Sequence, residues 1–330
     1  MKYLTLKSTS PHYNMAFDEF CLENLPLDEP VFYLWQNRPS VIIGRNQNPY
    51  AEVNLAYLQE KGIVLARRVT GGGAVYHDLE NLNYTIMGRS QDLESDYPGY
   101  LTLVVDALRK LGAYCTLSGR NDIMVDGRKC SGYAKRVFKD RLMVHGTLMF
   151  DVDLEELSKA LSLPRSKFTQ AGVQSVRSKV ANLRDYLPGI ETVGQFQQAL
   201  QEILSGGDDE VVLTPEQLSL IEKERVEKFS TWDWLYGKSP EASFRTGGKF
   251  SCGTIEATFN VQRGLIGDLR LGGDFIGNLA PEGICTTLEG CKFEYGEILS
   301  TLSRCNPPVG AYFDSLTPEE FARLLVDIQG

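Results

Sequence analysis

One run of the 330-residue chain says more about its structure than any other, and it reads Arg67-Arg68-Val69-Thr70-Gly71-Gly72-Gly73-Ala74-Val75-Tyr76-His77-Asp78. Two arginines precede three glycines, with an extended apolar segment on either side. Glycine accepts positive φ angles and lets backbone amides approach a ligand without an intervening Cβ atom. Guanidinium groups offer planar pairs of donors that match phosphate or carboxylate oxygens. The run therefore predicts an anion-binding loop between two strands, with a plain hairpin turn as the structural alternative.

The composition is that of an ordinary globular protein. Hydrophobic residues make up 42% of the chain, which predicts one large domain, a smaller one and a sizeable core. No apolar run reaches the length of a membrane span, and the first residues turn polar too early for a signal peptide. The formal net charge of −9 argues against nonspecific binding to nucleic acid or to an anionic membrane. We therefore expect a cytoplasmic protein with neither kind of partner.

The cysteines point to a reducing compartment. The chain has 7 of them, an odd number without C-x-x-C spacing. This pattern favours reduced thiols over a disulfide framework or a zinc site. We expect no structural metal and no tightly bound prosthetic group.

The apolar pattern predicts strands and helices in an irregular mixture. The first two strands flank a polar turn at Asn37-Arg38-Pro39. The predicted strands are Pro30–Trp35, Ser40–Gly44, Ile63–Arg67, Ala74–His77 and Leu82–Met87. The predicted helices are Tyr13–Glu23, Tyr100–Leu111, Leu154–Leu161, Val193–Leu204 and Pro215–Lys228. Because strands and helices neither alternate regularly nor cluster separately, we expect an α+β domain with a mixed β-sheet flanked by helices.

The sequence pattern changes near residue 245, which indicates a second domain. A linker is predicted in the segment that contains Gly237-Lys238-Ser239-Pro240 and Gly247-Gly248. Beyond it, the predicted elements are a hairpin of Gly253–Val261 and Leu265–Leu271 and helices at Tyr295–Leu302 and Pro318–Ile328. We assign residues 1–246 to a large domain and residues 247–330 to a small C-terminal α+β domain.

Two short strands around Asp126-Gly127 predict another hairpin. If its second strand keeps a two-residue period, Lys129 and Tyr133 share one face while Cys130 lies on the other. Lysine and cysteine should therefore point apart.

Lys129 is the candidate catalytic group of this hairpin. Gly132 leaves space beside it, and Asp122 on the partner strand is a candidate magnesium ligand near a bound phosphate. The structural alternatives are a solvated surface charge for Lys129 and a turn or capping role for Asp122.

These motifs resemble the lipoate-protein ligase A family, within the biotin and lipoate attachment superfamily, and the resemblance covers most of the chain. The residues that carry it are Trp35, Ile43-Gly44-Arg45-Asn46-Gln47-Asn48-Pro49, the 67–78 run, Gly119-Arg120-Asn121-Asp122, Arg128-Lys129-Cys130-Ser131-Gly132, His145-Gly146-Thr147-Leu148 and Ser175-Val176-Arg177-Ser178. Past Trp232 the tail resembles the accessory domain of the two-domain, A-type ligases. The resemblance implies a catalytic domain of the biotin/lipoyl ligase-like fold followed by that accessory domain.

The resemblance also implies a two-step reaction that uses ATP as a substrate together with Mg²⁺. Free lipoate and ATP give lipoyl-AMP and pyrophosphate, so two anions must meet and negative charge grows on the phosphoryl oxygens. The lipoyl group then moves to a lysine of an apo lipoyl domain of a 2-oxoacid dehydrogenase or of the glycine cleavage H protein. Octanoate stays open as a second acyl substrate.

The resemblance assigns roles to particular residues. Lys129 matches the central lysine of these ligases, which binds both ATP and lipoate and bridges the acyl carboxylate and the α-phosphate. The other nucleotide contacts are Arg68, Gly73, Ala74, Val75 and Tyr76. The residues that border the lipoyl chain are Met15, Phe17, Trp35, Thr70, His77 and His145, each with core packing as its structural alternative. Neither histidine is assigned as a base.

The main alternative is an octanoyl or lipoyl transferase, a related class that forms a cysteine thioester without ATP. The cysteine of that class belongs to a later motif, and the matching stretch here, Leu163–Ser178, contains none. Cys130 occupies a place where other ligases often carry a small apolar residue. An inactive carrier-binding relative and a biotin ligase are disfavoured, because the arginines, the glycines and Lys129 are retained in the lipoate-type form.

Overall fold

The computed structural model of the protein describes residues 1–89, 93–118, 122–161, 168–170, 180–207 and 209–326, with the backbone alone for 93–97 and 168–170. It forms two compact units. The first contains the described residues of 1–45, 62–159 and 175–231, and the second contains those of 46–61, 160–174 and 232–330. The predicted division at 246/247 stays a prediction.

The elements follow one another in an α+β order. The first half of the chain contains β1 Lys2–Tyr3, α1 Pro11–Asn24, β2 Val31–Trp35, β3 Ser40–Ile43, α2 Pro49–Glu52, α3 Leu55–Lys61, β4 Val64–Arg67, β5 Val75–His77, β6 Asn81–Arg89, α4 Leu93–Lys110, β7 Cys115–Ser118, β8 Asp122–Val125, β9 Arg128–Phe138, β10 Arg141–Met149 and α5 Leu154–Ala160. The second half contains β11 Phe168–Gln170, α6 Val193–Ser205, α7 Pro215–Glu224, β12 Ala242–Phe250, β13 Gly253–Gln262, β14 Leu265–Phe275, α8 Glu282–Leu288, α9 Tyr295–Ser303, α10 Val309–Tyr312 and α11 Pro318–Val326. A 3-10 turn lies at Arg184–Tyr186, and two π-helical turns lie at Arg225–Phe229 and Asp233–Gly237.

In the described part of the chain, the first unit contains a 7-stranded sheet in the order β1-β2-β6-β10-β9-β8-β7. β1 and β2 are parallel, and the other neighbours are antiparallel. The sheet is therefore mixed, and the expected α+β class with helices beside a large sheet is confirmed.

This sheet has one apolar face and one polar face. In β6, an interior strand, residues 81–88 are all buried, and successive side chains point to opposite faces. Tyr84 and Ile86 belong to the main hydrophobic cluster, to which α4 and α6 also contribute. Asn83 and Thr85 alternate with them and therefore lie on the opposite face. Buried polar groups need hydrogen-bonding partners, so the polar face is the place to look for a site.

The glycine run does not form a hairpin. β3 lies between β4, which is parallel to it, and β5, which is antiparallel to it. Residues 68–74 therefore cross from one side of β3 to the other, and the hairpin alternative is wrong. Gly72 has a φ of 95°, which is the positive value that favours glycine.

The predicted hairpin around Asp126-Gly127 is confirmed. Asp126 has a φ of 48° and Gly127 a φ of 68°, as a tight turn between twisted strands requires. The register of β8 with β9 then shifts by one residue, which leaves Cys130 unpaired as a β-bulge. The bulge interrupts the two-residue period, so Tyr133 joins Cys130 in the hydrophobic cluster. The prediction that Tyr133 shares a face with Lys129 is therefore wrong.

The second unit contains a 4-stranded antiparallel sheet among its described residues, in the order β11-β12-β13-β14. The predicted hairpin of β13 and β14 is confirmed. Its core includes the rings of Phe244, Phe259 and Phe293, and also Tyr50 of α2, from early in the chain. Gly247 and Gly248, predicted as linker residues, lie inside β12.

None of the helices in the described residues has the length and apolar character needed to cross a membrane.

Candidate active site

The polar face of the 7-stranded sheet carries the candidate residues. Val144 lies in the hydrophobic cluster, so its neighbour His145 points to the opposite face. Cys130 also lies in that cluster, and Lys129 beside it does not. His145 pairs with Ala134, which follows Lys129 by five residues. At about 3.3 Å per residue, the backbones at His145 and Lys129 are roughly 16 Å apart, less what the bulge removes.

A buried carboxylate lies at the His145 end of this face. Asp18 of α1 is 1% exposed, and its Oδ2 accepts a hydrogen bond of 2.7 Å from Nδ1 of His145. Its Oδ1 accepts hydrogen bonds from the hydroxyl of Tyr33 and, at 3.1 Å, from Oγ1 of Thr85. Nε1 of Trp35 in turn donates to Oγ1 of Thr85 at 3.0 Å. Because a carboxylate only accepts hydrogen bonds, it is Nδ1 of His145 that carries a hydrogen.

His145 connects this carboxylate to the glycine loop. Its Nε2 lies 2.7 Å from Oγ1 of Thr70, and the same oxygen accepts a hydrogen bond of 3.0 Å from Nε of Arg68. Nη2 of Arg68 donates to the carbonyls of Gly71 at 2.7 Å and Gly73 at 2.8 Å. The sheet, the buried helix and the loop thus share one continuous hydrogen-bond chain.

Arg68 is a buried cation that braces the glycine loop. Burial lowers the pKa of its guanidinium to about 10, so the group stays charged at neutral pH. Its Nη1 donates to the carbonyl of Ile42 at 3.0 Å. Gly44 brings the end of β3 against the loop, because a Cβ atom there would collide with the carbonyl of Gly72 and lie 3.3 Å from Nη2 of Arg68. The donors of Arg68 that the structure describes therefore hold the loop in shape.

Arg67 also donates hydrogen bonds to backbone carbonyls. It is 0% exposed, and its Nη1 donates to the carbonyls of Gly44 at 3.2 Å and Arg45 at 3.0 Å. Burial lowers its pKa to about 10. The two arginines thus place two buried positive charges beside the loop, which suits an anionic ligand.

Within the described part of the chain, His77 presents a donor without a partner. Asn14 donates through Nδ2 to Oδ1 of Asn37 at 2.8 Å, and Asn37 donates through Nδ2 to Nδ1 of His77 at 3.0 Å. Burial first, and then the charge of Arg68, lower the pKa of His77 to about 3, so its ring is neutral with the hydrogen on Nε2. That Nε2 is buried and has no hydrogen-bonding partner among the described residues. Because a buried donor is costly without an acceptor, it suits a ligand atom.

Lys129 lies at the other end of the polar face. Its Nζ pairs with Oδ1 of Asp122 at 2.7 Å, and the two side chains are 22% and 27% exposed. A Cβ atom on Gly132 would lie 3.1 Å from Nζ, so the glycine leaves the room that the lysine occupies. The carbonyl of Lys129 accepts a hydrogen bond of 2.9 Å from the amide of Ala181, which fixes the backbone at this point. A partly exposed ammonium with one carboxylate partner suits the binding of an anion.

The structure brings most of the predicted acyl-chain residues together. Trp35, Thr70 and His145 belong to one hydrogen-bonded group through Thr85 and Asp18, and the ring of His77 lies edge-on to Trp35 with centroids 6.1 Å apart. Met15 and Phe17 are both 2% exposed in α1, beside Asp18 in sequence.

The predicted nucleotide contacts occupy the loop and the strand that follows it. Gly73 and Ala74 end the loop, and Val75 and Tyr76 begin β5. Their contact with a nucleotide stays a prediction, as does that of Arg68. The motif residues Gly119-Arg120-Asn121 and Ser175-Val176-Arg177-Ser178 lie outside the described residues.

Cys130 does not have the environment of a nucleophile. It is 0% exposed, and its Sγ donates to the carbonyl of Ile123 at 3.3 Å. A hydrogen bond with Cys115 first, and burial second, raise the pKa of the Cys130 thiol. Reactive cysteines need the opposite, a lowered pKa and access to solvent.

Family models match both parts of the chain. The lipoyl protein ligase A/B catalytic domain matches residues 10–205, and the bacterial lipoate protein ligase C-terminus matches residues 239–325. A lipoate-protein ligase of Bacillus subtilis is 36% identical over 321 residues, which are 96% of this chain and 96% of that relative. The chain belongs to the lipoate-protein ligase family. The expected membership is therefore confirmed.

Solved structures of lipoate-protein ligases are similar to this one. A lipoate-protein ligase A bound with ATP has a TM-score of 0.61 and 29% identity, and the match covers 71% of this chain and 97% of that chain. The bi-partite ligase of Thermoplasma acidophilum, described together with its E2 lipoyl domain, has a TM-score of 0.62 and 29% identity over 71% of this chain and 95% of that chain. The expected ligase fold is confirmed.

In this ligase, sequence reasoning missed several polar residues that organise the site. Asp18 and Glu19 interrupt the apolar run Met15–Leu22, and carboxylates among apolar residues were the available signal. Asn37 was predicted only as a turn residue, but its side chain is 0% exposed and orients His77.

Proposed function

We propose that this chain activates free lipoate with ATP and transfers the lipoyl group to a lysine of an acceptor lipoyl domain. The observation that carries the proposal is the arrangement of the polar face. Lys129 lies at one end, and the buried cluster of His145, Thr70 and His77 lies roughly 16 Å away along the strands. This separation suits an extended eight-carbon acid whose carboxylate approaches Lys129 and whose ring reaches the buried cluster.

In the first step an oxygen of the lipoate carboxylate attacks the α-phosphorus of ATP. The bond from that phosphorus to the pyrophosphate oxygen breaks, and lipoyl-AMP and pyrophosphate form. Lys129 would bridge the carboxylate and an α-phosphate oxygen, which holds two anions together and neutralises charge that grows in the transition state. Arg68 and residues 73–76 would hold the nucleotide, because the buried guanidinium and the loop amides favour phosphate.

Asp122 is the residue that would hold Mg²⁺. Within the described residues, no group of three or more His, Cys, Asp or Glu side chains could hold a metal ion. This fits magnesium in a nucleotide site, where one or two carboxylates act together with substrate phosphates. When bound, the ion would neutralise phosphate charge. The ion pair of Asp122 with Lys129 supports this proposal, because it brings the carboxylate next to the ammonium that would bind the anions.

The buried end of the pocket would orient the acyl chain and exclude water. His77 would donate its Nε2 hydrogen to the ligand, and Trp35 would cover the acyl chain with its ring. Exclusion of water matters because the mixed anhydride is hydrolysed readily.

In the second step the amine of the acceptor lysine attacks the acyl carbonyl carbon. An amide forms, and AMP and a proton are released. We propose a lipoyl domain of a 2-oxoacid dehydrogenase or the glycine cleavage H protein as the acceptor; the Thermoplasma ligase, described with an E2 lipoyl domain, supports this choice. We also propose the cytoplasm as the location, because all 7 cysteines are free thiols.

The test is pyrophosphate release from ATP in the presence of lipoate. Lys129→Ala should lose roughly 10²–10³-fold in rate, or about 2.7–4 kcal/mol of transition-state stabilisation. Lys135→Ala, which removes an exposed lysine from the same strand, is the matched control and should keep the wild-type rate. Mass spectrometry of an apo lipoyl domain should then show one added lipoyl group on one lysine.

Cys130→Ala separates this ligase from a thioester transferase. The variant should release pyrophosphate at close to the wild-type rate, because the thiol faces the core. An inactive Cys130→Ala together with acyl transfer in the absence of ATP would overturn the proposal.

A further inference from the structure

We propose that Asp18 is a positioning residue for the nucleotide, acting through His145, Thr70 and Arg68 on the glycine loop. The proposal rests on the function proposed above and adds to it a physical link between the acyl end of the site and the loop that would bind ATP. No ligand contact of Asp18 is needed, because the effect travels through hydrogen bonds that the structure shows.

The direction of each hydrogen bond in the chain follows from its neighbours. Asp18 accepts from Nδ1 of His145 at 2.7 Å, and in the tautomer that has its one ring hydrogen on Nδ1 the ring presents Nε2 as an acceptor. Oγ1 of Thr70 lies 2.7 Å from that nitrogen and already accepts the Nε hydrogen of Arg68 at 3.0 Å. The hydroxyl hydrogen of Thr70 therefore points at His145. The carboxylate of Asp18 fixes the hydrogen of His145 on Nδ1, and His145 in turn orients the Thr70 hydroxyl. In that orientation Oγ1 of Thr70 can accept the hydrogen bond from Nε of Arg68.

The hydrogen-bond chain that begins at Asp18 ends on the backbone carbonyls of the glycine loop. Arg68 donates to the carbonyls of Gly71 and Gly73 on one side and of Ile42 in β3 on the other. If the Thr70 hydroxyl turned its hydrogen toward Nε of Arg68, two donors would face each other and the guanidinium would have to move. The carbonyls it holds, and the amides next to them, would move with it. Hydrogen-bond networks in a buried site are sensitive to the loss of one member for this reason.

The same geometry excludes a second role for these residues, the activation of a nucleophile. A carboxylate, an imidazole and a hydroxyl in sequence also describe the relay that activates a nucleophile. Thr70, however, is 2% exposed, and its oxygen is occupied by Arg68. A nucleophile needs an oxygen lone pair directed at the substrate. This series of hydrogen bonds therefore positions the glycine loop and does not activate Thr70.

The carboxylate of Asp18 is also held in a fixed orientation by its other hydrogen-bond donors. Asp18 is held on its other oxygen by the hydroxyls of Tyr33 and Thr85, and Thr85 is held by Nε1 of Trp35. A carboxylate with three donors around it has little freedom to turn, so it transmits a fixed orientation to His145.

The experiment is equilibrium binding of ATP to the full chain without acyl acid, measured by calorimetry for the wild type and Asp18→Asn. Asparagine has the same shape as aspartate, but its amide can present a donor to His145. We expect the dissociation constant for ATP to rise about tenfold, which corresponds to about 1.4 kcal/mol. Cys21→Ala is the matched control, because Cys21 is a 0% exposed residue one turn further along α1 and is not a link of the chain. It should leave the ATP affinity within about twofold of wild type.

A double variant distinguishes one hydrogen-bond chain from two independent effects on ATP affinity, because substitutions within one chain should not add. Thr70→Val removes the hydroxyl with little change of shape and should weaken ATP binding to a similar degree, while Thr70→Ser should restore it. The double variant Asp18→Asn/Thr70→Val should bind ATP no more weakly than the weaker single variant, because both changes break one chain. Independent contributions would instead multiply to about a hundredfold loss.

A measurement on the wild type tests the link without any substitution. The ¹⁵N resonance of Nε2 in His145 should shift when ATP is added in the absence of acyl acid. An unchanged resonance, or an Asp18→Asn variant that binds ATP as the wild type does, would overturn the proposal. Failure of the wild type itself to bind ATP would instead refute the proposed function, so the two failures are distinguishable.

Discussion

Replacing Gly132 with alanine should slow lipoate activation while leaving the fold intact. The new Cβ atom would lie 3.1 Å from Nζ and 3.2 Å from Cε of Lys129, which is closer than side chains normally pack. The far end of a lysine is flexible, so Nζ would give way by a few tenths of an ångström. That small movement takes place at the atom that we expect to bridge the two reacting anions.

The magnitude follows from how strongly catalysis depends on position. A misplacement of about 1 Å costs roughly 10²-fold in rate, so a few tenths should cost about three- to tenfold. Stability should move in the opposite direction, because alanine in place of a strand glycine reduces the entropy of the unfolded chain by an amount worth about 0.5–1 kcal/mol. A variant that is slower and at least as stable is the expected result.

The assay is ATP–pyrophosphate exchange with lipoate, combined with thermal unfolding. Gly272→Ala is the matched control, since Gly272 also lies in a strand and a Cβ atom there would meet nothing within 4 Å. It should exchange pyrophosphate at the wild-type rate. If Gly132→Ala does so as well, then the position of Lys129 does not limit the reaction and the reasoning is refuted.

Three other predictions concern pH and the loop. The folded-state pKa of His77, about 3, lies below its ordinary value of 6.5, so the unfolded chain binds the extra proton. Stability should therefore fall by about 1.4 kcal/mol per pH unit as the pH drops from 6.5 toward 3, and His77→Gln should show a shallower fall in chemical denaturation. Burial first, and then a neighbouring carboxylate, raise the pKa of Glu224 to about 8, so the wild type loses stability as the pH rises from 4.5 to 8. Glu224→Gln should consequently melt at a higher temperature than the wild type at pH 8.5, and an equal melting temperature would contradict this. Gly44→Ala should raise KM for ATP about tenfold, because its Cβ atom would collide with the carbonyl of Gly72 and lead to the loss of about one hydrogen bond of the loop. In Gly71→Ala, where the new Cβ atom meets nothing within 4 Å, KM should stay unchanged.

Local signals made much of the fold predictable. The hairpins at Asp126-Gly127 and Arg263-Gly264 are set by residues that accept positive φ, and the structure has φ values of 48° and 68° in the first and 53° and 74° in the second. Such turns depend on two adjacent residues, so the sequence suffices to locate them. The bulge at Cys130 has no such signature, and it changed the face on which Tyr133 lies.

The family motifs supplied the candidate site residues, and the contacts between residues distant in sequence could not be predicted. Asp18 and His145 are separated by 127 residues, and Asn37 and His77 by 40. Each of these pairs forms only because helix α1, the sheet and the glycine loop pack together, which no local pattern encodes. The same holds for residues 46–61, which join the second unit although the chain around them belongs to the first.

The most direct test of the account is a crystal structure of the protein with a nonhydrolysable analogue of lipoyl-AMP. Nζ of Lys129 should lie within 3.2 Å, the usual hydrogen-bond limit, of both the acyl carbonyl oxygen and an α-phosphate oxygen. The ring of the lipoyl group should lie against His77 and His145. An analogue bound with its phosphate away from Lys129, while that lysine still pairs with Asp122, would contradict the central claim.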